Sequence, residues 1–238
     1  MLRQAIAIVI ISCVAATAGI TACWSAEGSS PEAAALAVTL PPFYFENATA
    51  SKAVSALRLS LRAKEPAIPL RVHTEYEFGV PQKKAAHMVV DQCEVRQQLT
   101  AIAKATGCRW EASGGWINII PENKADDPDW ILNKRFPGQL TISKDPDKTA
   151  ALRKWFSDLG VIVDQIIHTL TSSASPGSAD GKPFNFGPDP VMLDNPTLRD
   201  VLNAHEALFG CVGSSVTVRA LPANSGYKYT LYTSYSLH

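Results

Sequence analysis

The chain has 238 residues, 46% of them hydrophobic, and its 22 basic and 22 acidic residues give a formal net charge of zero. That length holds one large domain or two small ones. The charge balance removes the electrostatic case for nucleic acid or an anionic membrane surface as partner, and Lys83-Lys84 reads as a solvated surface pair.

The first 26 residues read as an export signal and the start of a tether. Arg3 supplies a positive charge, Ala5-Ile6-Ala7-Ile8-Val9-Ile10-Ile11 begins an apolar run, and small residues follow at Thr17, Ala18 and Gly19. The run is shorter than the ~20 residues of a membrane span. Cleavage after Ala16-Thr17-Ala18 would release a soluble protein. Ile20-Thr21-Ala22-Cys23 resembles a bacterial lipobox, which makes Cys23 the lipidation candidate and a lipid anchor the only expected membrane contact. Beyond Cys13 and Cys23, the odd set Cys93, Cys108 and Cys211 reads as small buried apolar residues. A 93–108 disulfide is not expected, because a helix of ~20 Å would separate two residues that a bridge holds within ~7 Å.

Residues 27–39 read as a tether. Phe43-Tyr44-Phe45 is a short aromatic strand, with Asn47 or Thr49 capping the next helix, on which Ala50, Val54, Leu57 and Leu61 share a face. Ile68, Leu70 and Val72 alternate with Pro69, Arg71 and His73, a half-buried strand. His87-Met88-Val89-Val90 is another strand. Asp91 and Glu94 form a capping pattern, and Val95, Leu99, Ile102 and Ala103 form a buried helical stripe ended by Gly107. Arg109-Trp110-Glu111 and Trp116-Ile117-Asn118-Ile119-Ile120 pair across Ser113-Gly114-Gly115. Polar, proline-containing residues 121–129 mark a domain boundary.

Leu152, Trp155, Phe156 and Leu159 then mark an amphipathic helix. Val161-Ile162-Val163 and Ile166-Ile167 are helix or strand, and Ser172-Ser173-Ala174-Ser175-Pro176-Gly177-Ser178 is a loop. Val191-Met192-Leu193 is a strand. Asn195 is expected to cap a helix with Pro196 at its first position and with Leu198, Val201, Leu202 and Phe209 inward. A hairpin from Ser215-Val216-Thr217-Val218 to Tyr227-Lys228-Tyr229-Thr230-Leu231-Tyr232 closes the chain.

These segments contain a repeat. Val90-Asp91-Gln92-Cys93-Glu94-Val95-Arg96-Gln97-Gln98-Leu99 is echoed by Leu193-Asp194-Asn195-Pro196-Thr197-Leu198-Arg199-Asp200-Val201-Leu202, and Ala101, Gly107 and Cys108 match Ala204, Gly210 and Cys211 at the same offset. The expected fold is α+β, with two small domains at 40–121 and 130–238. Each is a short mixed sheet with helices on one face, and the first is βαββαββ-like.

The residues of 40–121, from Phe43-Tyr44-Phe45-Glu46-Asn47-Ala48-Thr49 through the repeated segment to Gly107-Cys108-Arg109-Trp110 and Gly114-Gly115-Trp116-Ile117-Asn118-Ile119-Ile120-Pro121, resemble the short N-terminal domain of bacterial secretins and TonB-dependent transducers. The second half resembles only its helix and hairpin portion. The resemblance implies two strand–helix arms closing on a glycine-turned hairpin, in a periplasmic, protein-contacting module that is not an enzyme. A secretin's β-rich pore-forming region and a TonB-dependent barrel are absent from this sequence.

No catalytic, cofactor or metal residues are assigned. His73, His87, His168, His205 and His238 lack metal-ligand spacing, there is no Gly-x-Ser-x-Gly elbow, and no CxxC pair is present. The expected function is a non-enzymatic, exported cell-envelope protein that binds another envelope protein. Two alternatives remain. One is a small periplasmic hydrolase assembled by the fold, for instance from His205 with Asp200 or Asp164. The other is a carbohydrate-binding protein that stacks sugars on Trp116 or the C-terminal tyrosines.

Overall fold

The computed structural model describes residues 31–165 and 189–236. The export segment, the lipidation candidate Cys23, Ile166-Ile167 and the serine-rich segment lie outside these residues.

The chain is an α+β protein built from two units with the same element order. A short helix α1 (Pro31–Leu36) and strand β1 (Thr39–Leu40) precede the first unit. That unit comprises β2 (Phe43–Ala48), α2 (Ala50–Lys64), β3 (Val72–Glu77), β4 (Ala85–Val90), the two-residue β5 (Cys93–Glu94), α3 (Val95–Thr106), β6 (Cys108–Ser113) and β7 (Trp116–Pro121). After a one-turn helix α4 (Glu122–Ala125), the second unit comprises β8 (Gln139–Ile142), α5 (Ala150–Leu159), β9 (Val161–Gln165), β10 (Val191–Asp194), α6 (Leu198–Leu208), β11 (Gly213–Ala220) and β12 (Tyr229–Ser236). The repeat therefore extends over the whole second unit, beyond the helix and hairpin that the sequence matched.

The strands differ from the expected arrangement. The expectation was a separate sheet for each half, with helices on one face. Instead β6-β7-β3-β11-β12-β9 form one six-stranded sheet, joined where β3 of the first unit pairs in parallel with β11 of the second. Each unit adds a two-stranded antiparallel sheet, β2–β4 or β8–β10, on the far side of its helices. Each pair of helices is thus packed between two sheets. The first core joins Ala48, Met88 and Val90 to Leu57, Leu99 and Ile102 and then to Val72, Ile117 and Ile119. The second joins Leu140 and Ile142 to Leu152, Trp155, Val201 and Leu202 and then to Val216, Val218 and Leu231.

Cross-strand partners lie on the same face of a sheet. Val72 pairs with Ile117 in the first core, whereas Val216 and Val218 of the second core pair with Glu75 and Glu77. The two cores therefore occupy opposite faces of the six-stranded sheet. Strand directions agree, since β7, β3 and β11 run parallel while β6, β12 and β9 run the other way. A half turn about an axis across the strands, with a step of three strands, carries one unit onto the other.

Several local expectations are corrected. Residues 31–39 are not a tether, because Ala35 and Leu36 are buried in the first core. Thr49 caps α2. Glu94 rather than Asp91 caps α3, with Gln97 Oε1 accepting its N–H. Thr197 rather than Asn195 caps α6, in a reciprocal box with Asp200. Asn195 has a positive φ and turns the chain ahead of the cap, while its Oδ1 accepts from Gly138 N–H. The 121–129 boundary is anchored: Asn133 Nδ2 donates to the carbonyls of Lys124, Ala125 and Asp127. Residues 161–165 are a strand. Phe209 is exposed rather than inward. The repeat holds from β4 and β10 through the helices and slips by one residue between β6 and β11. Trp110 faces its helices, yet its sequence match Gly213 pairs with the second strand's odd-numbered phase, while the even-numbered Val216 and Val218 face α6.

Leu99 and Leu202, the matched core leucines, are both buried. Changing either to Ala should cost about 2–5 kcal/mol. Because the sheet is continuous, urea denaturation should show each lesion as a shift of one common transition; two separated transitions would mean that the halves unfold independently.

Candidate functional site

The most concentrated chemistry in the molecule lies where α6 crosses the sheet. Leu198, Val201, Leu202 and Leu208 of α6 enter the second core. A second stripe, Arg199, Asn203 and Glu206, follows at spacings of four and three and is equally buried. It faces strands of the first unit, on the side of β3 that carries His73 and Glu75.

Arg199 is the centre of this seam. Its Nε and Nη2 donate to the two carboxylate oxygens of Glu75, and Nη2 also donates to Asn133 Oδ1 at 2.8 Å. Nη1 donates to Glu111 Oε1 at 3.2 Å. Glu75 also accepts from Trp130 Nε1 at 2.8 Å. Burial pulls the guanidinium pKa down, but the hydrogen bonds and charge of Glu75 outweigh it and hold Arg199 above its ordinary value. One turn along the helix, Asn203 Nδ2 donates to Asn118 Oδ1 at 2.9 Å. Beyond that, His73 Nδ1 lies 2.7 Å from Ser214 Oγ and 3.6 Å from Glu206 Oε2.

A serine, a histidine and a carboxylate thus meet, but not as a nucleophile relay. Such a relay needs the hydroxyl and the carboxylate on opposite ring nitrogens. Here both approach Nδ1, and the cluster is buried between sheet and helix. Among the described residues, no group of three or more His, Cys, Asp or Glu is placed to hold a metal ion.

Above the seam is a polar cleft of about 490 Å³ between β6, the α4 segment and the start of α6, bordered by Arg109, Glu111, Asp126, Arg135 and Asp200. Its charged side chains are engaged in hydrogen bonds, some with one another and some with neutral groups. Arg109 grips Asp126 through two 2.7 Å hydrogen bonds, which hold the Asp126 carboxyl below its usual range. Ser113 donates to Asp200, and Arg135 donates to Asn195 O. A smaller recess of about 180 Å³ lies between α2 and β11 and is lined by Ser51, Ser55, Thr74, Ser215 and Ser234 together with Arg58.

The candidates read from the sequence are placed elsewhere. His205 packs against Phe209 with ring centroids 4.9 Å apart and lines neither opening; burial lowers its pKa, with Glu206 opposing. Asp200 is committed to Thr197 and Ser113. Trp116 is fully buried and presents no stacking face, whereas Tyr227 is exposed. Cys93, Cys108 and Cys211 are free thiols. The seam itself escaped the sequence reading, because His73 was placed on the wet side of its strand. Its signal was the polar stripe Arg199, Asn203 and Glu206 beside the apolar one.

No known family model matches the chain, and no curated protein matches it either.

Replacing Glu75 by Leu leaves Arg199 buried without its main partner and should cost about 3–5 kcal/mol, whereas adding Arg199→Met should recover much of that loss. A double-mutant cycle by urea denaturation checks the coupling. Burial pushes the Cys211 thiol up to about 12, with Glu206 adding to the shift, so roughly one thiol in ten thousand is ionised at pH 8. Cys211 should therefore resist iodoacetamide in the native protein and react on unfolding, as read by peptide mass spectrometry.

Proposed function

We propose that this chain is a non-enzymatic, exported cell-envelope protein that works as a protein-interaction module. The observation that carries the reading is the use made of its clustered polar groups. His73, Glu75, Arg199 and Glu206 are buried in the junction between the units and are spent on one another and on neighbouring side chains, although Arg199 reaches the floor of the polar cleft. The hydrolase alternative needed a pocket around His205, and that ring packs on Phe209. Of the stacking faces the glycan alternative offered, Trp116 is covered, while Tyr227 alone among the described C-terminal tyrosines is exposed.

Two further features support a module that contacts protein. Within 40–121, the arms β2–α2 and β4–α3 and the Gly114-Gly115 hairpin accord with the secretin and TonB-transducer resemblance. Strands β6 and β9 end the sheet among the described residues, and a sheet edge is a common docking element for another chain. Among the described residues no helix is long and apolar enough to cross a membrane.

Purified protein should capture a specific partner from envelope extracts, and His205→Ala should capture it equally well. Turnover of a substrate that His205→Ala abolishes with the fold intact would overturn the reading. Mass spectrometry of the native N-terminus should find Gly19 or a lipid-modified Cys23; an intact Met1 on a cytoplasmic protein would refute export.

A further inference from the structure

Each unit carries both halves of the junction that joins the units, and among the described residues only one pair of these halves is used. At the internal junction, β3 lies parallel to β11 with residues 72–77 opposite 213–218. Val72 N–H donates to Val212 O and Phe78 N–H to Val218 O, so the even-numbered residues of β11 turn their backbone towards the incoming strand. The incoming strand delivers Glu75 to Arg199, at the start of the receiving unit's second helix.

The first unit has the same receiving parts, unused among the described residues. Glu122 N–H bonds Gly107 O, which places the odd-numbered residues of β6 on β7 and turns the backbone of Trp110 and Ala112 outward along the free edge. Arg96 holds on α3 the place that Arg199 holds on α6. Arg199 is buried by the incoming strand, while Arg96 is exposed.

At the other end of the sheet, β9 is the counterpart of β3. It reads Val161-Ile162-Val163-Asp164-Gln165 where β3 reads Val72-His73-Thr74-Glu75-Tyr76, with an acidic residue at the fourth position of both. The phase agrees as well. Val72 and Val161 each belong to their own unit's core, so His73 and Ile162 both alternate to the face away from that unit's helices.

We propose that β9 of one chain adds in parallel to β6 of a second copy, repeating the β3–β11 junction with position 164 in the register place of Glu75 and α3, with Arg96, in the place of α6. The two contact surfaces are different, so the contact is heterologous and extends head to tail. The strands offer about five residues of pairing, and the assembly therefore forms by weak, concentration-dependent addition. This deepens the protein-contact reading by naming one partner.

Sedimentation velocity over a micromolar-to-millimolar series tests it on the full mature chain. The wild type should grow past a dimer as concentration rises. Ala112→Pro removes an outward N–H without touching the β7 ladder and should block the β6 end. Asp164→Lys should block the β9 end. Each variant alone should stay monomeric, and their mixture should stop at a dimer, because one intact junction remains between them. Arg96→Glu should also abolish growth, and Arg96→Glu with Asp164→Lys should restore it. Circular dichroism checks that each variant folds. A wild type that stays monomeric throughout, or a mixture of the blocked variants that forms no dimer, overturns the proposal. If a monomeric wild type still captures an envelope partner, self-addition falls while the protein-contact reading stands.

Discussion

The architecture depends on one buried charge pair. Glu75 sits in the middle of the sheet, and its carboxylate is acceptable there only because Arg199, reaching from the other half of the chain, and Trp130, from the connecting segment, donate to it. A desolvated carboxylate without such donors would cost several kcal/mol. The sheet can therefore place β3 next to β11 only when α6 lies across it in one orientation. The connecting segment is drawn into the same arrangement, since Asn133 accepts from Arg199 and donates to three carbonyls of residues 124–127.

From that constraint follows the placement of the cores on opposite faces. A unit of this size covers only one face of its three strands with its own helices. The first unit's other face is covered by α6 and Trp130, and what covers it is polar as well as apolar. Arg199 to Glu75, Asn203 to Asn118 and Glu206 to His73 form matched contacts along the helix, each between a side chain of one unit and a side chain of the other. Apolar surface alone would tolerate sliding of the helix by a turn; directional partners do not.

The helices were the most legible part of the sequence. Their apolar stripes and terminal glycines are local signals, and the match between α3 and α6 carries through at constant offset. Their caps were misplaced because several residues near each start can accept an N–H, and only the backbone turn selects Glu94 and Thr197. The strands misled for a different reason. A strand with His73 and Glu75 on alternate positions has the pattern of a half-wet strand, and it is half-wet within its own unit. That its polar face is buried depends on a helix over a hundred residues away. Trp130 was missed for the same reason, standing just past a polar stretch whose local composition reads as linker. Nothing in the strand pattern distinguishes partners in water from partners in another unit, and so neither the junction nor its polar cluster could be read in advance.

The contact between His73 and Ser214 spans 141 residues of sequence. Closing so long a loop comes late, because entropy is lost before any contact offsets it. While the first unit waits, one face of its sheet is bare. Were that face lined with leucines, a half-made chain would present an adhesive surface to every other half-made chain around it. His73, Glu75 and Asn118 keep part of it wetted until α6 arrives, beside the apolar Trp116 and Ile120. The residues that fasten the finished protein are, in the nascent one, what interrupts an otherwise adhesive face.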